Sequence, residues 1–304
     1  MSKITSVIPT YNNLPFLQLA VVSVRKNCYY DQMPIIIFAE NCTDGTNEWL
    51  ENHGEELGIE YYIETDNEEQ RGIGGGIDYC VSKVKTEFVN ILHSDFWVAP
   101  NQDIELLKLY DEFPNDRLIA SSFRMQPNIF PNDPDYRPGT LFFHPNEFGA
   151  YDDDFDQEYF DKWATEFSND NDIRVRKAGG AGYFCRTEDH IHMGGNDPRF
   201  EPMYWEDKDL FMRMQMEGYK FIMTSKSVVW HFASRTSRFP NSTKNLKHRP
   251  PHLVEWEKRA TQRFIEKWGR LPDEDSETFV VPITDTDNPN RIKWLFDNQN
   301  IKEF

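Results

Sequence analysis

The sequence predicts an α/β fold built on a mainly parallel sheet flanked by helices. Three observations carry that expectation. Short apolar runs recur through the first hundred residues, segments with apolar residues at helical spacing separate them, and the run "PIIIFAE" is β-branched without polar alternation, as a strand covered on both faces must be. At 304 residues the chain has room for one large domain or two small ones, and its 38% hydrophobic and 14% aromatic content supplies a core.

Taken in order, "ITSVIP" reads as a buried strand ended by Pro9 and the turn formers Asn12 and Asn13. "LPFLQLAVVSVRKN" follows as a helix, with Pro15 near its start, where a missing N–H costs little. "PIIIFAE" is the second strand. "TDGTNEWLENHGEELG" is a helix that Asp44 or Thr46 caps and Gly58 closes. "IEYYIE" and "FVNIL" are the third and fourth strands. In such sheets ligands bind at the carboxyl ends of the strands. Those ends hold Thr10–Asn12, Glu40–Asn41, Glu64 and His93–Asp95, so polar residues collect on one rim. Residues 121–176 show little periodicity and are rich in Pro, Asp and aromatics, which reads as a functional insertion, helical near "DQEYFDKWATEF". Order returns from Ala178 with a Gly-rich strand, the helix "EDKDLFMRMQME" stopped by Gly218, and the strand "KSVVWHF". A last helix, "HLVEWEKRATQRFIEKWG", stops at Gly269, and the polar tail after Leu271 reads as a wrapping arm. The expected organisation is a domain over 1–235, with 121–176 as an acceptor-side insertion. A lid-like loop, a C-terminal helical arm and the tail follow over 236–304.

A net charge of −18 argues against a binder of nucleic acid, which needs a basic face. The charge is uneven: acids crowd "YDDDFDQEYFD", whereas "SRTSRFPNSTKNLKHRP" has none. Cys28, Cys42, Cys80 and Cys185 are scattered without a C-x-x-C, as in reduced cytosolic proteins. With no visible signal peptide and no apolar run near 20 residues, the expectation is a soluble, cytoplasmic protein without a transmembrane segment.

Two places suggest chemistry. At "ILHSDFW", Asp95 leaves an apolar strand either as a turn residue or as a ligand for a hard cation such as Mn²⁺ or Mg²⁺, and His231 in "VVWHF" offers a second ligand. At "YWEDKDL", Glu206 and Asp207 sit in the first turn of a helix, where the dipole favours acids whether or not they react. Asp209 and Arg213, four apart, read as a structural pair. His190 and His192 have no partner spacing and read as packing or surface residues.

Together these segments resemble the family 2 glycosyltransferases, which have the GT-A fold and use nucleotide sugars. "SVIPTYNN" is similar to that family's first strand and loop, "IIIFAENCTDGTNEWL" to its second strand and D-G-T turn, and "RGIGGGIDYC" to its Gly-rich segment. "HSDFWVAP" stands where the family carries its acidic metal motif. "GGNDPRF", "EDKDL" and a closing His follow in the family's order. The resemblance spans roughly residues 3–100 and 178–270, and it implies roles. Asp95 and His231 would hold Mn²⁺ or Mg²⁺ against a nucleotide diphosphate. Asp207 would be the general base, with Glu206 beside it. Thr10, Tyr11, Glu40, Asp44, Arg71, Ser94 and Gly180 would form the donor side, Asp44 alternatively capping its helix and Arg71 alternatively solvated. Tyr204 and Trp205 would offer an apolar platform to the acceptor. The Gly-rich segment would let the donor approach the backbone. The basic loop just after His231 either folds over the diphosphate as a lid, with Arg235, Arg238, Lys244 and Lys247 countering its charge, or is a solvated surface loop. Two positions depart from the pattern: His93 replaces the first acid or amide of the metal motif, and Glu40 replaces an Asp. The implied function is metal-dependent, inverting transfer of a sugar from a nucleotide-sugar donor to a glycan, lipid-linked or protein acceptor. A nucleotidyltransferase on a similar sheet and a non-catalytic sugar-binding relative are the alternatives.

Overall fold

The structure is a computed structural model, and it describes residues 2–65, 70–129, 140–176, 182–233, 235 and 251–269. Its first part alternates as expected: β1 (Ile4–Thr10), α1 (Leu14–Asn27), β2 (Ile35–Glu40), α2 (Thr46–His53), β3 (Ile59–Glu64), α3 (Gly72–Val81) and β4 (Phe88–Ile91). There follow β5 (Phe96–Val98), α4 (Gln102–Glu112), β6 (Leu118–Pro127), β7 (Thr140–Phe143), α5 (Pro145–Phe148), α6 (Gln157–Asp170) and β8 (Arg174–Val175). The last part holds β9 (Tyr183–Arg186), α7 (Thr187–His192), a 3₁₀ turn (Pro198–Phe200), α8 (Glu206–Met216), β10 (Lys220–His231) and α9 (Pro251–Trp268).

One sheet organises these elements, in the order β3-β2-β1-β4-β9-β6-β10-β5, with β7 on β6 and β8 on β10. The pairs β1–β2, β1–β4, β2–β3, β6–β7 and β6–β10 are parallel, while β9 runs antiparallel to β4 and β6, and β5 and β8 antiparallel to β10. All seven residues of β1 and all six of β2 are buried, which is why both read as unbroken apolar runs. Leu17, Val21 and Val24 of α1 pack under one face with Ile8, Ile37 and Leu106, and Ile77, Leu210 and Phe211 cover the other with Val7 and Ile91.

The region expected to be an irregular insertion from residue 121 begins later. "LIASSFRMQP" is a ten-residue central strand whose alternation is masked by polar residues that bond inside the protein. Ser122 pairs with Ser227 and Gln102, Arg124 donates to Thr140, and Gln126 meets His231. Beyond Pro127, the described part of the insertion packs as an aromatic cluster. Phe148, Phe155 and Phe160 surround Trp230, and Asp161 ties α6 to the sheet by accepting from Asn27 Nδ2 and Trp97 Nε1. The last helix ends where Gly269 turns left-handed at φ 80°. No helix among the described residues is long and apolar enough to cross a membrane. The polar tail, and the 236–250 loop with Arg238, Lys244 and Lys247, lie outside the described residues.

Candidate active site

The carboxyl ends of β1, β2, β3 and β4 share one rim, as parallel strands in register require. There the chain after β4 turns through His93 and Ser94 into Asp95, which is 6% exposed, and β10 ends at His231, paired in register with Phe96. Asp95 Oδ2 and His231 Nε2 lie 3.5 Å apart. His231 Nδ1 is 3.2 Å from Gln126 Oε1. A neutral imidazole that donates Nδ1–H to Gln126 would present its Nε2 lone pair to the Asp95 carboxylate, whereas a protonated ring would donate Nε2–H to it. In the first arrangement two acceptors face each other and need a cation between them. Their spacing is near the roughly 3 Å between adjacent ligands of an ion with bonds of about 2.1 Å. The pair therefore fits a small hard cation. No group of three His, Cys, Asp or Glu converges among the described residues, so the protein would supply two ligands and leave the other positions to substrate and water.

Electrostatics in this corner are strongly perturbed. Burial works against ionising Asp95, but His231, then His93 and the Arg235 amide, outweigh it and hold the carboxyl well below its usual range. Burial pushes the His93 ring down to about 4, so it is neutral at physiological pH and stacks on Phe96 with centroids 5.2 Å apart. The Asp207 charge is felt, as a minor influence, at both His93 and Tyr183.

Glu206 and Asp207 open α8, but they face different surroundings. The Glu206 side chain lies over α3: a Cβ on Gly74 would come within 3.3 Å of Glu206 Cγ. Its Oε2 is buried with no hydrogen-bond partner, and burial, reinforced by the Asp207 charge, pushes the carboxyl up to about 8. Asp207 Oδ1 accepts the Lys208 amide at 2.7 Å. The turn ahead of them is strained. Tyr204 and Trp205 are both left-handed, at φ 79° and 72°, a conformation that costs an L residue roughly 1–2 kcal/mol each.

Several residues expected on the donor side are engaged with the protein itself. Thr10, 5% exposed, ends β1 with Oγ1 unpartnered, and Tyr11 beside it is exposed. Glu40 accepts from the amides of Arg71 at 2.7 Å and Gly72 at 2.8 Å, so it organises the start of α3. Arg71 pairs with Glu64 and lies over the Tyr79 ring. Asp44 accepts from the Leu14 amide and from Thr46, joining the starts of α1 and α2. Ser94 accepts from Asn13 Nδ2 at 3.1 Å. Gly180 lies outside the described residues. The Gly-rich segment, expected to admit a donor, is instead filled by protein. A Cβ on Gly72 would lie 1.7 Å from Pro202 O, and one on Gly74 2.9 Å from Asn196 Cβ, because the 196–206 segment lies directly on α3. Arg235, expected to counter diphosphate charge, is fully buried, with its guanidinium over the rings of Phe16 and Tyr151 and a bond to Ala150 O. Trp205, expected as an acceptor platform, packs its ring on Phe264 of α9.

Several participants escaped the sequence reading. Gln126 orients His231, and the polar residues of β6 masked the alternation that would have marked it. The buried chain Asp78–His190–Tyr183, with contacts of 2.8 and 3.0 Å, ties α3 and α7 to the floor of the cleft. Asp78 also accepts from Asn196, and Gly195 must be glycine because a Cβ there would meet the Asp78 carboxylate at 2.6 Å.

An open parallel sheet with an acid and an imidazole at its carboxyl rim defines a fold of the GT-A type. Residues 5–176, more than half of the chain, match the profile of Glycosyl transferase family 2, and the chain belongs to that family. Comparison with the curated proteins returns no match. Among solved structures the chain resembles S. aureus TarS, at 13% identity and a TM-score of 0.54 over 87% of this chain and 44% of that one. It also resembles GalNAc-T7 crystallised with UDP, GalNAc and Mn²⁺, at 14% identity and a TM-score of 0.55 over 88% and 56%. TarS 1–349 in complex with UDP aligns at 12% identity with a TM-score of 0.50 over 87% and 72%. The chain thus spans about half the length of the first two, and at these identities the likeness is one of fold.

Proposed function

We propose that the chain is a glycosyltransferase that moves a sugar from a nucleotide-diphosphate donor to an acceptor hydroxyl with inversion. The observation that carries this reading is the Asp95–His231 pair, a carboxylate and an imidazole 3.5 Å apart at the carboxyl rim of the sheet. Asp95 and His231 would hold a divalent cation, Mn²⁺ or Mg²⁺, which would supply charge neutralisation for the departing diphosphate. Asp207 accepts the proton of the acceptor hydroxyl as its oxygen bonds to the anomeric carbon. The bond to the diphosphate breaks in the same displacement, its electron pair leaving with the diphosphate. Glu206, neutral at pH 7 because it is buried, adds no second charge beside the base. UDP appears with GalNAc-T7 and with TarS 1–349, which makes a UDP-sugar the first donor to test. The acceptor is a glycan, a lipid-linked sugar or a protein hydroxyl.

The test is calorimetric titration of UDP-, dTDP- and GDP-sugars, with Mn²⁺ and with a chelator, on wild type and Asp95→Ala. Metal-dependent binding of one nucleotide family, lost in Asp95→Ala, is the expected result. Binding of none by folded protein would remove the transferase reading in favour of a non-catalytic relative. Release of pyrophosphate from a nucleoside triphosphate would favour a nucleotidyltransferase.

A further inference from the structure

We infer that the C-terminal helix α9 clamps the turn that presents Asp207, with Lys267 and Trp268 as positioning residues; the catalytic part of this inference rests on Asp207 being the base. The contacts lie on both sides of Asp207. Two residues before it, Trp205 Nε1 donates to Thr261 Oγ1 at 3.0 Å, and its ring packs on Phe264 with centroids 4.9 Å apart. Two residues after it, Asp209 is fully buried: Oδ1 accepts from Trp268 Nε1 at 2.9 Å and pairs with Lys267 Nζ at 2.5 Å. Asp209 Oδ2 is held by Arg213 Nε at 2.9 Å, and the Arg213 guanidinium in turn binds the carbonyls of Met193 and Gly195. Lys267, 5% exposed, reaches a second carboxylate, Asp197 Oδ2, at 2.6 Å. One ammonium thus joins the loop before the 3₁₀ turn, the first turn of α8 and the end of α9.

Left-handed residues such as Tyr204 and Trp205 persist only where their surroundings fix them. Those surroundings are supplied largely by α9: Tyr204, Trp205 and Met216 pack with Phe200, Met212, Ala260, Phe264 and Trp268. The helix begins at Pro251, well beyond the family-matched stretch that ends at residue 176. A general base must stay within hydrogen-bond reach of one hydroxyl, and a small misplacement costs rate rather than donor affinity. A clamp on the base-bearing turn therefore has a kinetic signature distinct from simple stabilisation.

The experiment uses the full chain and four variants: Lys267→Met, Lys267→Arg, and the milder Trp268→Phe and Thr261→Val, each of which removes one hydrogen bond. Hydrogen exchange is read over residues 203–210, with 4–10 and 88–98 as internal controls, alongside nucleotide-sugar affinity, kcat and KM. The expected result is faster exchange confined to 203–210. It comes with kcat lower by about tenfold or more and donor KM and Kd within about twofold of wild type. Lys267→Arg should recover much of the loss, and Lys267→Met should add nothing to the defect of Asp207→Asn. Unchanged exchange at 203–210 in the mild variants, or a loss carried by donor Kd with kcat intact, would overturn the inference. If wild type binds no nucleotide sugar, the functional reading fails by itself, and the exchange data still decide whether α9 holds the turn.

Discussion

The Glu206 side chain lies over Gly74 with one carboxyl oxygen unpartnered, whereas Asp207, one residue on, accepts the Lys208 amide. The first difference is open to a stability measurement. Burial raises the folded-state pKa of Glu206 to about 8, above the 4.5 of the free side chain. Between those values the folded chain holds a proton that the unfolded chain has lost, so stability falls as pH rises through that window and levels above about 8. Glu206→Gln removes this term. Its melting temperature should gain on wild type from pH 5 to pH 8 and then stay level, with a ceiling of about 1.4 kcal/mol per pH unit inside the window. A gap independent of pH would show that Glu206 is ionised in the folded state. For the neighbour, Asp207→Asn should keep donor affinity and lower transfer by roughly 10²–10⁴-fold, measured as initial rates at saturating donor. Retained turnover would move the base elsewhere.

At the scale of elements, the start of α3 and the anchor of α6 invite separate tests. Glu40 holds the Arg71 and Gly72 amides, and Ile73 N–H donates to Pro202 O at 2.9 Å, so α3 and the loop before α8 are seated together. Gly72→Ala sets a Cβ on Pro202 O at a φ of 61°, and should cost more than about 2 kcal/mol in chemical denaturation. An unchanged midpoint would show that this contact relaxes freely. On the far side of the sheet, Asp161 accepts from Asn27 and Trp97 and pairs with Lys26. Asp161→Ala leaves two buried donors without their partner and should cost about 2–4 kcal/mol, with donor binding retained because Asp161 contacts none of the residues proposed for the donor. A full loss of donor binding in folded Asp161→Ala would tie the insertion to the donor.

For the molecule as a whole, a ligand that binds only the folded chain raises its stability by RT ln(1 + [L]/Kd). Mn²⁺ with a nucleotide diphosphate at about 100 times Kd should therefore add about 2.7 kcal/mol, read as a rise in melting temperature that EDTA reverses. Asp95→Ala should lose that rise while keeping the wild-type melting temperature without ligand to within a few degrees. An equal rise in both proteins would place the cation elsewhere. The net charge of −18 makes nonspecific cation binding the control to run, with Ca²⁺ in place of Mn²⁺.

The alternation of strands and helices, the polar rim at the carboxyl ends of β1–β4 and the Asp209–Arg213 pair were legible in the sequence, because each depends on local periodicity or spacing along one element. The packing of protein on the Gly-rich segment and the burial of Arg235 were not legible, because a glycine or an arginine reads alike whether it faces ligand or protein. Residues 121–127 looked irregular because the partners that satisfy Ser122, Arg124 and Gln126 lie on distant segments. The sequence by itself determined the first four strands of the sheet and which acids stand at their carboxyl ends. Only the tertiary structure decided that the Glu206 carboxyl is buried over α3, and that Lys267, some 60 residues away, closes on Asp209. Such assignments turn on burial and on contacts between elements far apart in the chain, and no local pattern encodes them.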